Sequence, residues 1–261
     1  MNKFELHIQA AIKAAIAATH EIMDVYLNDF ETIIKQDGSP ITEADIRSSK
    51  AIEHALEITQ IPIIGEEMVN RSYEERKDWT QCWVIDPVDG TREFVNKNDE
   101  FAINIALVEN GSPIFGLIAS PVQQYMVFGG KEMGLFELDF NTSTYSPTKL
   151  DIHTPTHEKF VVLTSRSHDS GMITDYLDKL ASRYGDLTYL RKGSALKFID
   201  LVKKEAQSYP RFAPTMEWDV AAGQALLEAV GGSVLNAETG EPLTYNKPDL
   251  LNPFFVAENL H

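Results

Sequence analysis

The stretch Trp83-Val84-Ile85-Asp86-Pro87-Val88-Asp89-Gly90-Thr91-Arg92-Glu93-Phe94 decides how the chain reads. The apolar run Cys82 to Ile85 has the character of a buried strand, and it stops at Asp86. Pro87 fixes its own φ and holds Asp86 out of the helical region, so the strand is expected to end there. Gly90 can take the backbone angles of a tight turn, and Thr91 can start a helix. Asp86, Asp89 and the Thr91 hydroxyl then share one exposed lip. Clustered oxygens of this kind suit a hard divalent cation; Mg2+ is typically held by a few carboxylates plus substrate phosphates. Asp-Pro and Asp-Gly steps alone are ordinary turn chemistry. The complete pattern is far more restrictive.

At these residues the chain resembles the inositol monophosphatase superfamily, Mg2+-dependent and lithium-sensitive phosphomonoesterases with the signature W-x-I-D-P-x-D-G-T-x-x-F. A second match follows at Trp218-Asp219-Val220-Ala221-Ala222-Gly223, the superfamily's W-D-x-A-A-G. The resemblance spans nearly the whole chain. It implies a layered α/β (α+β) fold, an αβαβα sandwich of the inositol monophosphatase and sugar phosphatase type. An N-terminal antiparallel sheet with two long helices would be followed by a C-terminal α/β layer.

Composition bounds the possibilities. The 261 residues suffice for one large domain or two modest ones, and 43% hydrophobic residues can bury a substantial core. A net charge of −16 argues against non-specific binding to nucleic acid or anionic membranes. It also means that an anionic substrate needs bound cations to receive it. The single cysteine, Cys82, excludes an intrachain disulfide framework and suits a reducing, cytoplasmic location. Its place on a strand marks it as a small hydrophobe. No signal peptide and no membrane span is read, since no apolar run approaches about 18 residues. Peripheral contact with the inner membrane face, and the choice between monomer and homodimer, stay open.

Taken in order, residues 3–30 read as one amphipathic helix, with His7 and His20 as ordinary surface or satisfied histidines. Residues 36–41 are turn chemistry. A second helix over 43–59 starts at a capping box, Thr42 and Asp45, with Ile41 and Ile46 as a hydrophobic staple. Residues 61–65 form a short strand ending at Glu66-Glu67, and 70–81 an exposed loop. An antiparallel meander then turns at Asn110-Gly111 and runs to Phe140. The Ser/Thr/Pro-rich segment 141–156 is the candidate boundary, giving domains 1–145 and 146–261. Strands at 160–163, 187–190 and 206–209 then alternate with helices at 170–183, 194–203 and 217–230, as in an α/β layer. Gly231-Gly232 would close the last helix.

The resemblance also implies a site. One cation would take Glu66, Asp86 and the backbone carbonyl of Val88; a second would take Asp86, Asp89 and Asp219; a third, weaker one would involve Glu66 and Asp45. Two or three Mg2+ ions would thus clamp an in-line displacement at phosphorus. Thr91 with Asp45 or Glu66 would orient and deprotonate the attacking water, and the N–H groups of Gly90 and Thr91 would hold the phosphate. Asp45 and Asp219 each carry a purely structural alternative, as a helix cap and a first-turn acid.

Three later features resemble the CysQ branch, the 3′(2′),5′-bisphosphate nucleotidases: Arg92-Glu93-Phe94, the run Asn98 to Leu107, and the segments at 165–168, 193–198 and 209–212. That branch hydrolyses adenosine 3′,5′-bisphosphate, a by-product of sulfate activation, to AMP and phosphate. The nucleotide contacts it implies are Ser165, His168, Gly193 and Lys197, with Asp219 at the substrate edge. Inositol monophosphate or another small phosphomonoester is the alternative substrate. A non-catalytic nucleotide- or metal-sensing module is the alternative of another class.

Overall fold

Ala11, Ala14, Ala15, Ala18, Ile22 and Val25 recur at helical spacing and are all buried, which is why Lys3–Tyr26 forms helix α1. The computed structural model describes residues 3–36, 38–141, 146–152, 159–164 and 171–260, with backbone alone for 3, 4, 171 and 172. Helix α1 stops four residues before the predicted end at 30. Asn28 Nδ2 donates to Asp24 O at 2.7 Å there, and Phe30 turns back onto Phe94 with ring centroids 5.0 Å apart. The turn segment proves to be a small antiparallel hairpin, β1 (Thr32–Ile34) with β2 (Pro40–Thr42).

Helix α2 (Glu43–Leu56) starts at the predicted capping box and ends in a 3-10 turn over Glu57–Thr59. Of the predicted staple, Ile46 stays exposed. Next come β3 (Ile63–Gly65), the single turn α3 (Tyr73–Arg76), β4 (Gln81–Asp89) and the short helix α4 (Thr91–Val95). The meander follows as β5 (Ala102–Glu109), β6 (Ser112–Ser120), β7 (Tyr125–Gly130) and β8 (Gly134–Asp139), with an edge pair β9 (Thr148–Lys149). These build one sheet in the order β3-β4-β5-β6-β7-β8-β9, antiparallel except for β3 beside β4.

Period-two alternation assigns the faces of this sheet. Trp83, Ile85, Ile103, Ile105, Phe115 and Leu117 join α1 and α2 in one core. Val84, Ala106, Val108, Ile118 and Val127 join a second core with the C-terminal half. There the elements are β10 (Phe160–Thr164), α5 (Gly171–Tyr184), β11 (Leu187–Arg191), α6 (Leu196–Val202), β12 (Ser208–Arg211), α7 (Glu217–Glu228), β13 (Ser233–Asn236) and β14 (Phe255–Glu258). The second sheet runs β11-β10-β12-β14-β13. Strand β10 is parallel to β11 and β12, while β14 lies antiparallel between β12 and β13. Helices α6 and α7 fill the layer between the sheets, and α5 packs on β11 and β12. The layering is the expected αβαβα.

Two local expectations are corrected. Strand β4 does not end at Asp86: it continues through Pro87 to Asp89, with a register irregularity between Asp86 and Asp89. The missing N–H of proline is tolerated there because pairing is already interrupted, and it resumes at Asp89 opposite Ala102. Nor is 70–81 simply an exposed loop. Arg76 is buried, and its guanidinium donates to Asn246 Oδ1 at 2.7 Å and Pro248 O at 3.2 Å. His7 is likewise buried, edge-on to Trp83.

Candidate active site

Strand register assembles the acids. Gly65 pairs with Ile85 in parallel, so Glu66 and Asp86 leave neighbouring strands at the same level. The irregularity after Asp86 brings Asp89 onto the same lip, and Gly90 makes the turn with φ +95 before α4 begins. Asp219 arrives on the third residue of α7, its Oδ2 accepting from Met216 N at 2.8 Å. Helix α7 lies so close to the sheet that a Cβ on Gly116 would stand 2.2 Å from Ala222 O. Ligand oxygens of Asp86, Asp89 and Asp219 consequently lie within 4.8 Å of one another.

Three carboxylates at this spacing repel one another. Burial raises the Asp86 carboxyl well above its ordinary range, and the charges of Glu66, Asp89 and Asp219 push it further. Asp219 is raised by burial and by Asp89. Asp89 is raised by burial against the opposing pull of Lys197 and the Ala195 N–H. Hydrogen bonds account for one oxygen of each among the described residues: Val88 N to Asp86 Oδ1 (3.0 Å), Ala195 N to Asp89 Oδ2, and Met216 N to Asp219 Oδ2. Beside them Asn104 Oδ1 is buried and accepts nothing from the described residues. This set of hard, negatively charged and under-satisfied oxygens fits a divalent cation.

Glu66 stands at the edge of the triad. Its Oε1 lies 3.3 Å from Lys35 Nζ, which also pairs with Glu67. Burial, opposed by Lys35 and reinforced by Glu67, raises its carboxyl to about 7. Asp45 is buried, with Oδ2 accepting from Thr42 N at 2.8 Å and Thr42 Oγ1 at 2.7 Å. Its Oδ1 accepts from Thr91 Oγ1 at 3.0 Å, and that hydroxyl also lies 3.2 Å from Val88 O. Asp45 therefore closes the capping box of α2 and at the same time accepts from Thr91.

Next to the acids is a cavity of about 150 Å3. Its lining includes the acids Asp89, Glu93 and Asp219 and the cations Arg92, Lys192, Lys197 and Arg211. Lys197 is only 4% exposed, lies over the Tyr209 ring, and donates to Ser194 O at 2.6 Å and Lys192 O at 3.2 Å. Gly193 N donates to Glu100 Oε2 at 2.8 Å. Lys192 pairs with Asp200 at 2.6 Å, whereas the Arg92 guanidinium has no partner among the described residues. Ser165 and His168 lie outside the described residues. Sequence reasoning missed Lys35, Arg211 and Glu100 as site neighbours. Glu100 and Arg211 fall within segments that marked the nucleotidase branch, but Lys35 carried no local signal.

The sheets and the inter-sheet helices bring together, at their seam, a carboxylate cluster able to hold a cation on a layered α/β scaffold. The sequence model of the Inositol monophosphatase family matches residues 5–259, and the chain belongs to that family. It is 35% identical over 253 residues to the 3′(2′),5′-bisphosphate nucleotidase CysQ of Salmonella typhimurium, covering 95% of this chain and 98% of that one. The corresponding Escherichia coli K12 protein is 35% identical over 239 residues, covering 90% and 92% of the two chains. The crystal structure of CysQ from Bacteroides thetaiotaomicron superimposes with a TM-score of 0.86 at 35% identity, covering 97% of both chains.

Proposed function

We propose that this protein is a Mg2+-dependent 3′(2′),5′-bisphosphate nucleotidase that converts adenosine 3′,5′-bisphosphate to AMP and phosphate, recycling the by-product of sulfate activation. One observation carries the reading: a single cavity is lined both by Asp89 and Asp219, two acids of a cluster able to hold cations, and by Arg92, Lys192, Lys197 and Arg211. A substrate with one reacting and one non-reacting phosphate has use for both. The similarity to CysQ nucleotidases points to the same substrate class. Among the described residues no helix is long and apolar enough to cross a membrane.

Glu66, Asp86, the Val88 carbonyl, Asp89 and Asp219 would hold two Mg2+ ions, with Asp45 and Glu66 at a third position. Bound there, the cations supply the positive charge that acidifies an attacking water and stabilises the leaving oxygen. Thr91 Oγ1 donates to Asp45 Oδ1, so a water bonded to that hydroxyl has a proton path to the buried carboxylate. The N–H groups of Gly90 and Thr91 flank the reacting phosphate. In this reading residues 1–145 provide most cation ligands, and residues 146–261 provide Asp219 and the nucleotide contacts Ser165, His168, Gly193 and Lys197.

A panel of phosphomonoesters tests the assignment, with phosphate release measured at saturating Mg2+. Adenosine 3′,5′-bisphosphate should give the highest kcat/KM; a preference for inositol monophosphate would overturn it. Thr91→Ala should lower kcat while leaving the Mg2+ requirement nearly unchanged, because Thr91 orients water rather than a cation. A large rise in the Mg2+ needed for half-maximal rate contradicts that role. Lys197→Met, which keeps the aliphatic stem, should raise KM for the bisphosphate about ten-fold, the scale of one hydrogen bond to an ionised group. Inositol monophosphate turnover should fall less, since it loses only the support that Lys197 gives the 192–195 turn and not a contact to a second phosphate. Equal losses on both substrates would assign Lys197 to the fold.

A further inference from the structure

The turn at Lys192–Ala195 belongs to the C-terminal half, yet its conformation is held from the N-terminal half. Gly193 N donates to Glu100 Oε2 at 2.8 Å across the seam. The fit is close: a Cβ on Gly193 would stand 2.8 Å from Glu100 O and 2.8 Å from Glu93 Cγ. One residue on, Ser194 sits at φ +49, a left-handed conformation that a non-glycine residue adopts at a cost. That conformation aims the next N–H, of Ala195, at Asp89 Oδ2. Lys197 closes the turn from within by donating to Ser194 O and Lys192 O.

From this geometry we infer that Glu100 is a positioning residue for the reaction: it clamps the Lys192–Ala195 turn so that Ala195 N–H fixes Asp89 and the turn that Lys197 bonds keeps its place in the cavity lining. Gly193 lacks a side chain because the two halves must touch there, and its N–H serves the clamp. The acceptor oxygen matters, and a glutamine amide oxygen can replace it. Glu100 lies on the loop before β5 and outside the cluster of Asp86, Asp89 and Asp219, and it reaches that cluster through the turn. The kinetic part of this inference rests on the nucleotidase reading; the cation part does not.

The test compares Glu100→Ala, Glu100→Gln and Gly193→Ala with the intact enzyme. Mg2+ affinity is read by calorimetric titration, KM and kcat on adenosine 3′,5′-bisphosphate, and folding by thermal melting. Glu100→Ala should weaken Mg2+ binding several-fold and raise KM about ten-fold, the loss of one charge-assisted hydrogen bond. Gly193→Ala should reproduce both effects, and Glu100→Gln should restore both to within about three-fold of the intact enzyme. If Glu100→Ala does not fold, Glu100→Asp, one methylene too short for the reach, takes its place. Unchanged Mg2+ affinity and KM in a folded Glu100→Ala protein would overturn the inference. So would a Glu100→Gln variant as impaired as Glu100→Ala, since the charge and not the acceptor would then be what matters. If the intact protein binds Mg2+ but does not turn over the bisphosphate, the nucleotidase reading fails, and the Mg2+ titrations alone still decide the role of Glu100.

Discussion

Asp86→Asn should abolish tight divalent-cation binding and lower turnover by at least about 10²–10³-fold, through lost charge at the transferring phosphoryl group. Asp86 is the most buried of the three clustered acids and feels the charges of Glu66, Asp89 and Asp219 together. In the proposed site it is the carboxylate that two cations would share. The substitution is nearly isosteric, and Asn retains an oxygen that can accept from Val88 N, so the strand irregularity should survive. Without cations the variant should be at least as stable as the parent, because one mutually repelling charge is gone. Calorimetric titration with Mg2+ and single-turnover phosphate release check the prediction. A folded variant with a near-normal Mg2+ response would remove Asp86 from the centre of the site.

Chelation of divalent cations should destabilise the protein at pH 8 far more than at pH 5. Burial and mutual repulsion raise the carboxyls of Asp86, Asp89 and Asp219 above their unfolded values, and Glu66 rises to about 7. The cation-free folded state thus binds more protons than the unfolded chain. The share due to Glu66 is fully present below the unfolded carboxylate value of about 4 and is lost as pH rises through about 7, and the three aspartates act in the same direction. Mg2+ binds the deprotonated cluster and reverses that loss. At a concentration one hundred times Kd the gain is about 2.7 kcal/mol, or roughly 5–10 °C in Tm for a chain of this size. Paired melting curves with Mg2+ and with chelator, at both pH values, measure it. A gap in Tm that is the same at pH 5 and pH 8 would contradict the electrostatics.

Local rules carried the sequence reading where a local cause was sufficient. Thr42 and Asp45 form the capping box because both partners lie within one helical turn. Asn110 and Gly111 both take positive φ and close the β5–β6 hairpin, as that dipeptide favours. The level placement of Glu66 and Asp86 on parallel neighbours followed from two apolar runs that each reach an acid, although β4 runs on past Asp86. What stayed hidden depends on distant neighbours. Pro87 sits inside β4 because Asp89 can pair with Ala102 beyond it, which nothing near Pro87 announces. Arg76 reads as a solvated charge, and only the return of residues 246–248 buries it. Strands β13 and β14, four residues each, are too short to show a period and exist because each completes the other's pairing. Lys35 reaches Glu66 and Glu67 from a hairpin tip about thirty residues upstream, beyond any local pattern.

Strand β14 also sets the order in which a growing chain can become an enzyme. It is inserted between β12 and β13, so the second sheet has a gap in its middle until Phe255–Glu258 has been synthesised. The segment just before it holds the start of α7: Lys247 Nζ and the N–H groups of Asn246 and Lys247 all reach the buried carboxylate of Glu217, two residues from Asp219. On a ribosome, the first sheet, which bears Asp86 and Asp89 on β4, can close long before that carboxylate finds its partners. The acid cluster is thus completed well after the first sheet has emerged, and a chain halted between the two lacks a positioned Asp219.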